Sequence, residues 1–193
     1  MYIPKHFEVL EREEILKFLE ANPFGQLIST IDGKLFSTHL PFFLDNNIDS
    51  LICHVAIGNP QWKDIEGQEV LVTFQGPHDY ISPTWYHSPG VPTWNYQAVH
   101  VYGKPKIITD SKKLKSMVSN LTEIHESSFD DPWEPDYKES LLNGIVGIEI
   151  TVTDLQCKYK LSQNRSKKDK EEIIKQVNKR GSTNLSKAMK SDL

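Results

Sequence analysis

The sequence predicts a mainly β protein of the α+β class, an antiparallel sheet that closes wholly or partly into a barrel, with peripheral helices and a C-terminal helical tail. Three observations predict it. Short runs with apolar alternation dominate the chain from Gln26 to Thr109, an Asp-Gly pair joins two of them, and two more strand-like runs return after a long helical pattern. Strands that come back late must rejoin the early ones, which favours a sheet curled on itself.

The elements follow in order. "EREEILKFLEANP", Glu11 to Pro23, carries apolar Ile15, Leu16 and Leu19, acids in its first turn and a proline at its end, the pattern of a short amphipathic helix. "QLISTI" and "KLFSTHLPF" flank Asp32-Gly33, and Asp-Gly between strand-like runs predicts a hairpin because a type I′ turn needs positive φ at both central positions. A second hairpin is expected around Asp45-Asn46-Asn47. "SLICHVA", "EVLVTFQG", "DYISPTWY", "WNYQAVHVYG" and "PKIIT" continue the sheet as separate strands, with turns at Asn59-Pro60, Gly76-Pro77 and Ser88-Pro89-Gly90.

The pattern then changes. Asp110 or Ser111 can cap a helix, "KKLKSMVSNLTEIHES", with Leu114, Met117, Val118, Leu121 and Ile124 on one face. An acidic link, "FDDPWEPDY", leads to another short helix and to the strands "IVGIEITV" and "LQCKYKLS". Two helical patterns, "KEEIIKQVNKR" and "LSKAMKS", close the chain around Gly181.

At 38% hydrophobic and 25% charged, the 193 residues suffice for one sizeable core. The expectation is a single domain, with the barrel over residues 1–160 and a basic helical tail over 161–193 packed on it. Charge is uneven. From Lys158 onward there are eleven Lys/Arg against four Asp/Glu, net +7, which leaves −11 on the rest of a chain whose total is −4. A solvated basic tail is the plain reading, and a tail that covers an anionic ligand is the alternative. The N-terminus has no apolar run of signal-peptide length, and "LPFFL" is too short to span a bilayer, so a cytoplasmic protein without membrane contact is expected. Cys53 and Cys157 show no CxxC or framework spacing and read as small strand residues.

Motifs for common chemistries are missing. There is no GxGxxG, Walker A or GxSxG sequence, no two histidines sit at HxH, HxxH or HxxxH spacing, and no metal site is expected. Five polar-aromatic clusters recur instead: "STHLPF", "CHVAIGNPQW", "YISPTWY", "TWNY" and "KLSQNR". Together they offer flat apolar faces, amides, hydroxyls and cations. That inventory suits a planar heteroaromatic ring carrying a phosphate, with aromatics over the ring, amides on its polar edge and Lys63, Arg165 or backbone N–H groups for the anion.

These clusters, in this order and after the opening "MYIPKHF", resemble the PaiB family of FMN-binding negative transcriptional regulators. The long motifs "HVAIGNPQW" and "VPTWNYQAVHVYG" carry the resemblance, which extends into the tail. It implies an FMN-binding split β-barrel of the pyridoxamine-phosphate-oxidase type, working as a homodimer with the flavin in a cleft between subunits. Haem in the same cleft is the alternative cofactor. By that resemblance Thr38, His39 and Leu40 run beside the ring, and His54, Asn59, Trp62 and Lys63 lie near the ribityl phosphate. Trp94, Asn95 and Tyr96 stand near the dimer cleft, with Val99 and Val101 as core on the alternate face. Gln163 and Arg165 close over the flavin or a substrate. Asn59 can also cap a helix that begins at Pro60, whose N-terminus would attract an anion.

The resemblance implies a negative transcriptional regulator that acts through its flavin or indirectly. The alternatives are a flavin-dependent oxidoreductase or flavin reductase, and a non-catalytic dimer with weak flavin binding. No catalytic residue can be named, so in the enzyme reading the flavin carries the chemistry. Direct DNA contact is not expected, because Lys187 and Lys190 fall where the second helix of a helix-turn-helix would need apolar packing positions.

Overall fold

The structure is a computed structural model that describes residues 1–45 and 48–191, so the expected turn at Asn46-Asn47 lies outside the described residues. Seven strands form one sheet: β1 (Phe24–Ile31), β2 (Lys34–Pro41), β3 (Phe43–Asp45), β4 (Ser50–Ala56), β5 (Val70–Ile81), β6 (Thr93–Ile108) and β7 (Ile145–Lys160). Their order is β2-β1-β5-β6-β7-β4-β3. The early strands β3 and β4 are thus joined to the rest through the late strand β7, as a curled sheet requires. Helices α1 (Arg12–Ala21), α2 (Ser111–Glu126), α3 (Lys167–Lys179) and α4 (Thr183–Ser191) complete the fold. Among the described residues no helix is long and apolar enough to cross a membrane.

The β1–β2 hairpin turns where the sequence places it. Asp32 and Gly33 have φ of 49° and 74°, and the register runs from Ile31↔Lys34 to Phe24↔Pro41. Three other boundaries differ from expectation. β5 runs unbroken through Gly76-Pro77, where a turn was expected. Gly76 is needed for contact, since a Cβ there would sit 2.6 Å from the Phe18 ring. Pro77, which has no N–H to give, lies past the end of the ladder to β1 at Thr73. Ser82 then ends the strand by capping a 3₁₀ turn over Pro83–Trp85.

β6 likewise continues through Gly103 and Pro105 as one strand rather than two. A Cβ on Gly103 would meet Ile150 Cγ2 at 2.5 Å and the Thr151 carbonyl oxygen at 2.6 Å, so the glycine allows close approach of a neighbouring backbone. Near the strand end, the Ile107 N–H donates to the Glu66 carboxylate at 2.8 Å, so a side chain stands in for a ladder partner there. The two late runs are also one strand, β7, with Thr153 and Asp154 as an exposed midpoint. The short helix expected before it is a 3₁₀ stretch, Glu139–Gly144.

The chain divides into two compact units, one of Met1–Asn22, Phe74–His100 and Gln156–Leu193, the other of Pro23–Thr73 and Val101–Leu155. In the first, α1 buries Ile15, Phe18 and Leu19, α3 buries Ile173, Ile174 and Val177, and α4 buries Leu185 and Met189. The α4 packing positions are therefore Leu185 and Met189, with Lys187 and Lys190 exposed, which corrects the expected placement of the lysines. In the second unit, Leu27, Val72, Val101, Ile148 and Ile150 are almost fully buried. Each such aliphatic side chain contributes about 1.5–3 kcal/mol. The helix α2, capped by the Asp110 side chain on the Lys113 N–H, adds Leu114 and Leu121. Its Leu114 and Met117 side chains reach into the space a Cβ on Gly147 would fill. Ile124, expected on the same face, is exposed.

Candidate functional site

In the second unit the predicted residues gather around a side chain that sequence reasoning passed over. Gln61, fully buried, donates from Nε2 to the Leu27 carbonyl (3.1 Å) and to Ser29 Oγ (2.9 Å). Its Oε1 accepts from Thr38 Oγ1 at 2.6 Å, and Thr38 Oγ1 in turn accepts from Asn59 Nδ2 at 3.0 Å. Asn59 Oδ1 closes the ring by accepting from the Gln61 N–H at 2.9 Å. Thr38 and Asn59 are thus brought together, with their side chains engaged inside the protein. The signal was present in "GNPQW": a polar residue one step after Asn-Pro, in a segment returning to a strand core. Asn59 caps as expected, but the element it starts is a 3₁₀ turn of four residues, Pro60–Lys63, too short to present a helix dipole to an anion.

Around this network the other residues differ in access. β2 is the first strand of the sheet, so among the described residues one row of its backbone N–H and C=O groups has no ladder partner; in the register set by Ile31↔Lys34, Thr38 and Leu40 turn their main-chain groups to Leu27 and Gly25 of β1, and His39 turns its own to the open edge. Leu40 is buried, whereas the His39 ring is exposed and stacks with Phe24, centroids 6.2 Å apart. Lys63 is exposed, with no ion-pair partner among the described residues. Trp62 donates from Nε1 to the Ile57 carbonyl at 3.0 Å. His54 is half-buried opposite Gly147 of β7, and burial pushes its pKa below the usual histidine value.

In the first unit, the alternation of β6 splits the "TWNY" run between two faces. Trp94, 52% exposed, lies edge-on to Tyr80 with centroids 6.2 Å apart. Asn95, 1% exposed, points the other way, onto the face of Gln97, Val99 and Val101. Val99 and Val101 therefore share a face with Asn95, where an alternate face was expected. The reason is the period of two along a strand. Asn95 Nδ2 donates to Ser162 Oγ (2.9 Å), and that hydroxyl donates back to Asn95 Oδ1 (3.2 Å). Tyr96 lies under the Lys158 ammonium, 5.3 Å from the ring centroid.

The turn after β7 holds the last two predicted residues. Gln163 folds back on its own chain, donating to the Tyr159 carbonyl and accepting from the Leu161 N–H, both at 2.7 Å. Arg165 stacks its guanidinium 4.1 Å from the centroid of the Tyr86 ring. Lys160 donates to the Trp94 carbonyl at 2.6 Å and to Thr93 Oγ1. Burial first, then the Lys158 and Arg165 charges, push its pKa below the usual lysine value. A larger open groove of about 830 Å³ runs elsewhere in this unit, lined by Phe18, Gln75, His78, Gln97, Tyr159 and Leu185 among others. None of the twelve predicted residues lines it.

The family model described as "Putative FMN-binding domain" matches residues 1–154. The protease synthase and sporulation protein PAI 2 of Bacillus subtilis (strain 168) is 45% identical over 185 residues, covering 92% of this chain and 89% of that protein. Among solved structures, the flavocytochrome Anf3 from Azotobacter vinelandii matches with a TM-score of 0.66 at 16% identity, over 82% of this chain and 72% of that one. The FAD and heme binding protein from Mycobacterium smegmatis matches with a TM-score of 0.64 at 14% identity, over 79% and 73%. At such identities the likeness is one of fold, the split β-barrel that the curled seven-stranded sheet forms. With the family model over most of its length and a relative of this identity, the chain belongs to the PaiB family of flavin-binding split-barrel proteins.

Proposed function

We propose that the protein binds FMN as a homodimer and serves as a PaiB-type negative regulator of transcription, acting through its flavin or indirectly. The observation that carries the flavin reading is the free edge of β2 beside the Thr38–Asn59–Gln61 network. Backbone groups without ladder partners, held in place by a satisfied buried amide, suit the polar rim of a flat ring. The residues fit FMN in kind: His39, between Thr38 and Leu40, supplies main-chain groups on the open edge, and exposed Lys63 supplies positive charge for a phosphate, with His54, Asn59 and Trp62 in the same unit. In the other unit, taken by itself, Trp94 and Tyr96 offer aromatic faces, Asn95 braces the strand that carries them, and Gln163 and Arg165 belong to the turn after β7. Bound flavin would supply hydride or electron exchange. The chain's own part is to bind and orient it.

Support for the homodimer comes from the face that β1 and β2 present. In their register Phe24 pairs with Pro41, Gln26 with His39 and Thr30 with Leu35, which puts Phe24, His39 and Leu35 on one exposed face. Exposed apolar surface of this kind on one sheet face fits a self-complementary interface. The regulatory part rests on family membership and on the name of the Bacillus subtilis relative, which refers to protease synthesis and sporulation.

The test is the visible spectrum of the purified protein with and without added FMN, together with its mass by light scattering. A flavin spectrum, quenched flavin fluorescence and a dimer mass are expected. Unchanged fluorescence of FMN at micromolar protein would refute flavin binding, a Soret band would replace it with haem, and a monomer mass would remove the shared cleft. Turnover of a reduced nicotinamide by the FMN-loaded protein would favour the oxidoreductase reading over the regulator.

A further inference from the structure

A second, smaller cavity of about 140 Å³ lies in the first unit, lined by Tyr86, Thr93, Asn95, Lys160, Ser162 and Arg165 among others. Its volume is well under the roughly 300–1,000 Å³ of cofactor pockets. At about 30 Å³ for each water, it has room for a handful of waters or one small polyatomic group. It is too small for a flavin ring.

The lining is cationic and uncompensated. Lys160 and Arg165 both face this space, the lining contains no carboxylate, and neither cation has an ion-pair partner among the described residues. Lys160 has spent its known hydrogen bonds on two neutral oxygens, Thr93 Oγ1 and the Trp94 carbonyl. Arg165 makes one long bond, 3.5 Å to the Pro89 carbonyl, and otherwise rests on the Tyr86 ring, so most of its five N–H donors are unspent. Holding two cations at a partly enclosed site without a counter-charge is costly, and an anion would offset that cost.

A second observation points the same way. The Tyr86 hydroxyl is buried and has no hydrogen-bond partner among the described residues. A buried phenol without a partner costs about 1–3 kcal/mol, so native proteins seldom leave one unless a ligand or water completes it. Two neighbours hold the ring in place. Arg165 lies over it, and Gly90 packs so close that a Cβ there would lie 2.1 Å from Tyr86 Cδ2. The loop that follows Tyr86 is pinned as well, because Asp169 accepts from the His87 N–H at 2.6 Å and from Ser88 Oγ at 2.9 Å.

We propose that this cavity is a small-anion site that takes a phosphate or carboxylate group, with Arg165 and Lys160 supplying the charge and the Tyr86 hydroxyl donating a hydrogen bond. The anion is either a free small molecule or the phosphate end of a larger ligand; were it the phosphate of FMN, that group would sit here in place of the Lys63 position given above. The site stands on residues of the first unit alone and does not depend on the flavin reading.

The test uses the full chain with inorganic phosphate and acetate as probes, at constant ionic strength against chloride, read by thermal shift and titration calorimetry. Saturable stabilisation by at least one probe is expected. Its apparent Kd should rise at least about tenfold in Arg165→Gln and in Lys160→Gln, and severalfold in Tyr86→Phe, which keeps the ring under the guanidinium. A Lys187→Gln control on the exposed face of α4 should bind as the parent does. No saturable response to either probe, or equal affinity in the parent and in Tyr86→Phe and Arg165→Gln, would overturn the site. Should Arg165→Gln not fold, the parent titration and Tyr86→Phe still decide. If FMN affinity falls in the variants while riboflavin affinity does not, the anion is the flavin phosphate. If probe binding falls and FMN affinity holds, it is a free anion. Failure of FMN to bind at all, with phosphate binding intact, would defeat the flavin reading and leave this site standing.

Discussion

Replacing Asn95 by alanine asks whether the amide in the middle of β6 belongs to the scaffold. Asn95 and Ser162 exchange two hydrogen bonds, of 2.9 and 3.2 Å, between groups that are both buried. Each neutral bond contributes roughly 0.5–1.5 kcal/mol, and a buried hydroxyl left without its partner costs about 1–3 kcal/mol. Asn95→Ala should therefore destabilise the flavin-free protein by about 2–4 kcal/mol. Ser162→Ala should cost a similar amount by stranding the amide. The double variant removes both polar groups, so it should cost less than the sum of the singles, with a coupling of about 1–2 kcal/mol. Alanine is the right replacement for Ser162, because its φ of 68° would let glycine relieve backbone strain and mask the loss. Urea unfolding of the four proteins, with FMN titrations alongside, gives the cycle. A change within about 0.5 kcal/mol for Asn95→Ala, accompanied by a loss of FMN affinity, would show that the amide serves a ligand and that the scaffold reasoning is wrong.

Three further outcomes are expected. Gln61→Leu roughly keeps the volume but takes a partner from Ser29 and Thr38 and the second bond from the Leu27 carbonyl, and should cost about 2–4 kcal/mol in urea unfolding; a loss under 1 kcal/mol would mean that the network adds little. Gly103→Ala, facing Ile150 and the Thr151 backbone, should destabilise by about 1–3 kcal/mol, while Gly144→Ala, facing open space, should not; equal melting temperatures for the two would contradict the close approach. The bond from the His87 N–H, seconded by Ser88 and Ser166, holds the Asp169 carboxyl below the usual carboxylate range. Its contribution is therefore present above the unfolded value of about 3.9 and is lost as pH falls through the lower folded value. Between about pH 5 and 2 the parent should lose stability more steeply than Asp169→Asn, and parallel curves would show that the carboxylate is not linked to folding.

The sequence told different parts of this structure with different clarity. The Asp32-Gly33 hairpin, α1, α2 and the α3–α4 pair announce themselves through local chemistry, since turn φ values, caps and apolar spacing are written in neighbouring residues. The continuity of β5 and β6 was hidden for the opposite reason. Gly76 and Gly103 look like punctuation, yet each marks a place where something distant in sequence, the Phe18 ring or the Ile150–Thr151 segment, presses on the backbone. The candidate site divides in the same way. Asn59 as a cap was legible, whereas Gln61 was not, because a glutamine becomes the centre of a network only when Leu27, Ser29 and Thr38 are brought around it. Asn95 could have been assigned to its face by counting alternate residues back from Val99 and Val101. Tyr86, Lys160 and Arg165 share no local pattern, and their meeting depends on how the turn after β7 is folded.

The division of the chain into two units has a consequence for synthesis on the ribosome. The unit of Pro23–Thr73 and Val101–Leu155 has all its residues once Leu155 has been added, whereas the other needs the segment that begins at Gln156. At about 5–20 residues per second, translation takes roughly two to seven seconds to go from Leu155 to Met189. During that interval Phe74, Ile81 and Val99 are already made, while Ile173, Val177, Leu185 and Met189, core residues of the same unit, are still to come. Transiently uncovered apolar surface of this kind is what nascent-chain chaperones recognise. The first unit can close only after release of its last segment from the exit tunnel, so its folding is a late event however quickly the second unit forms.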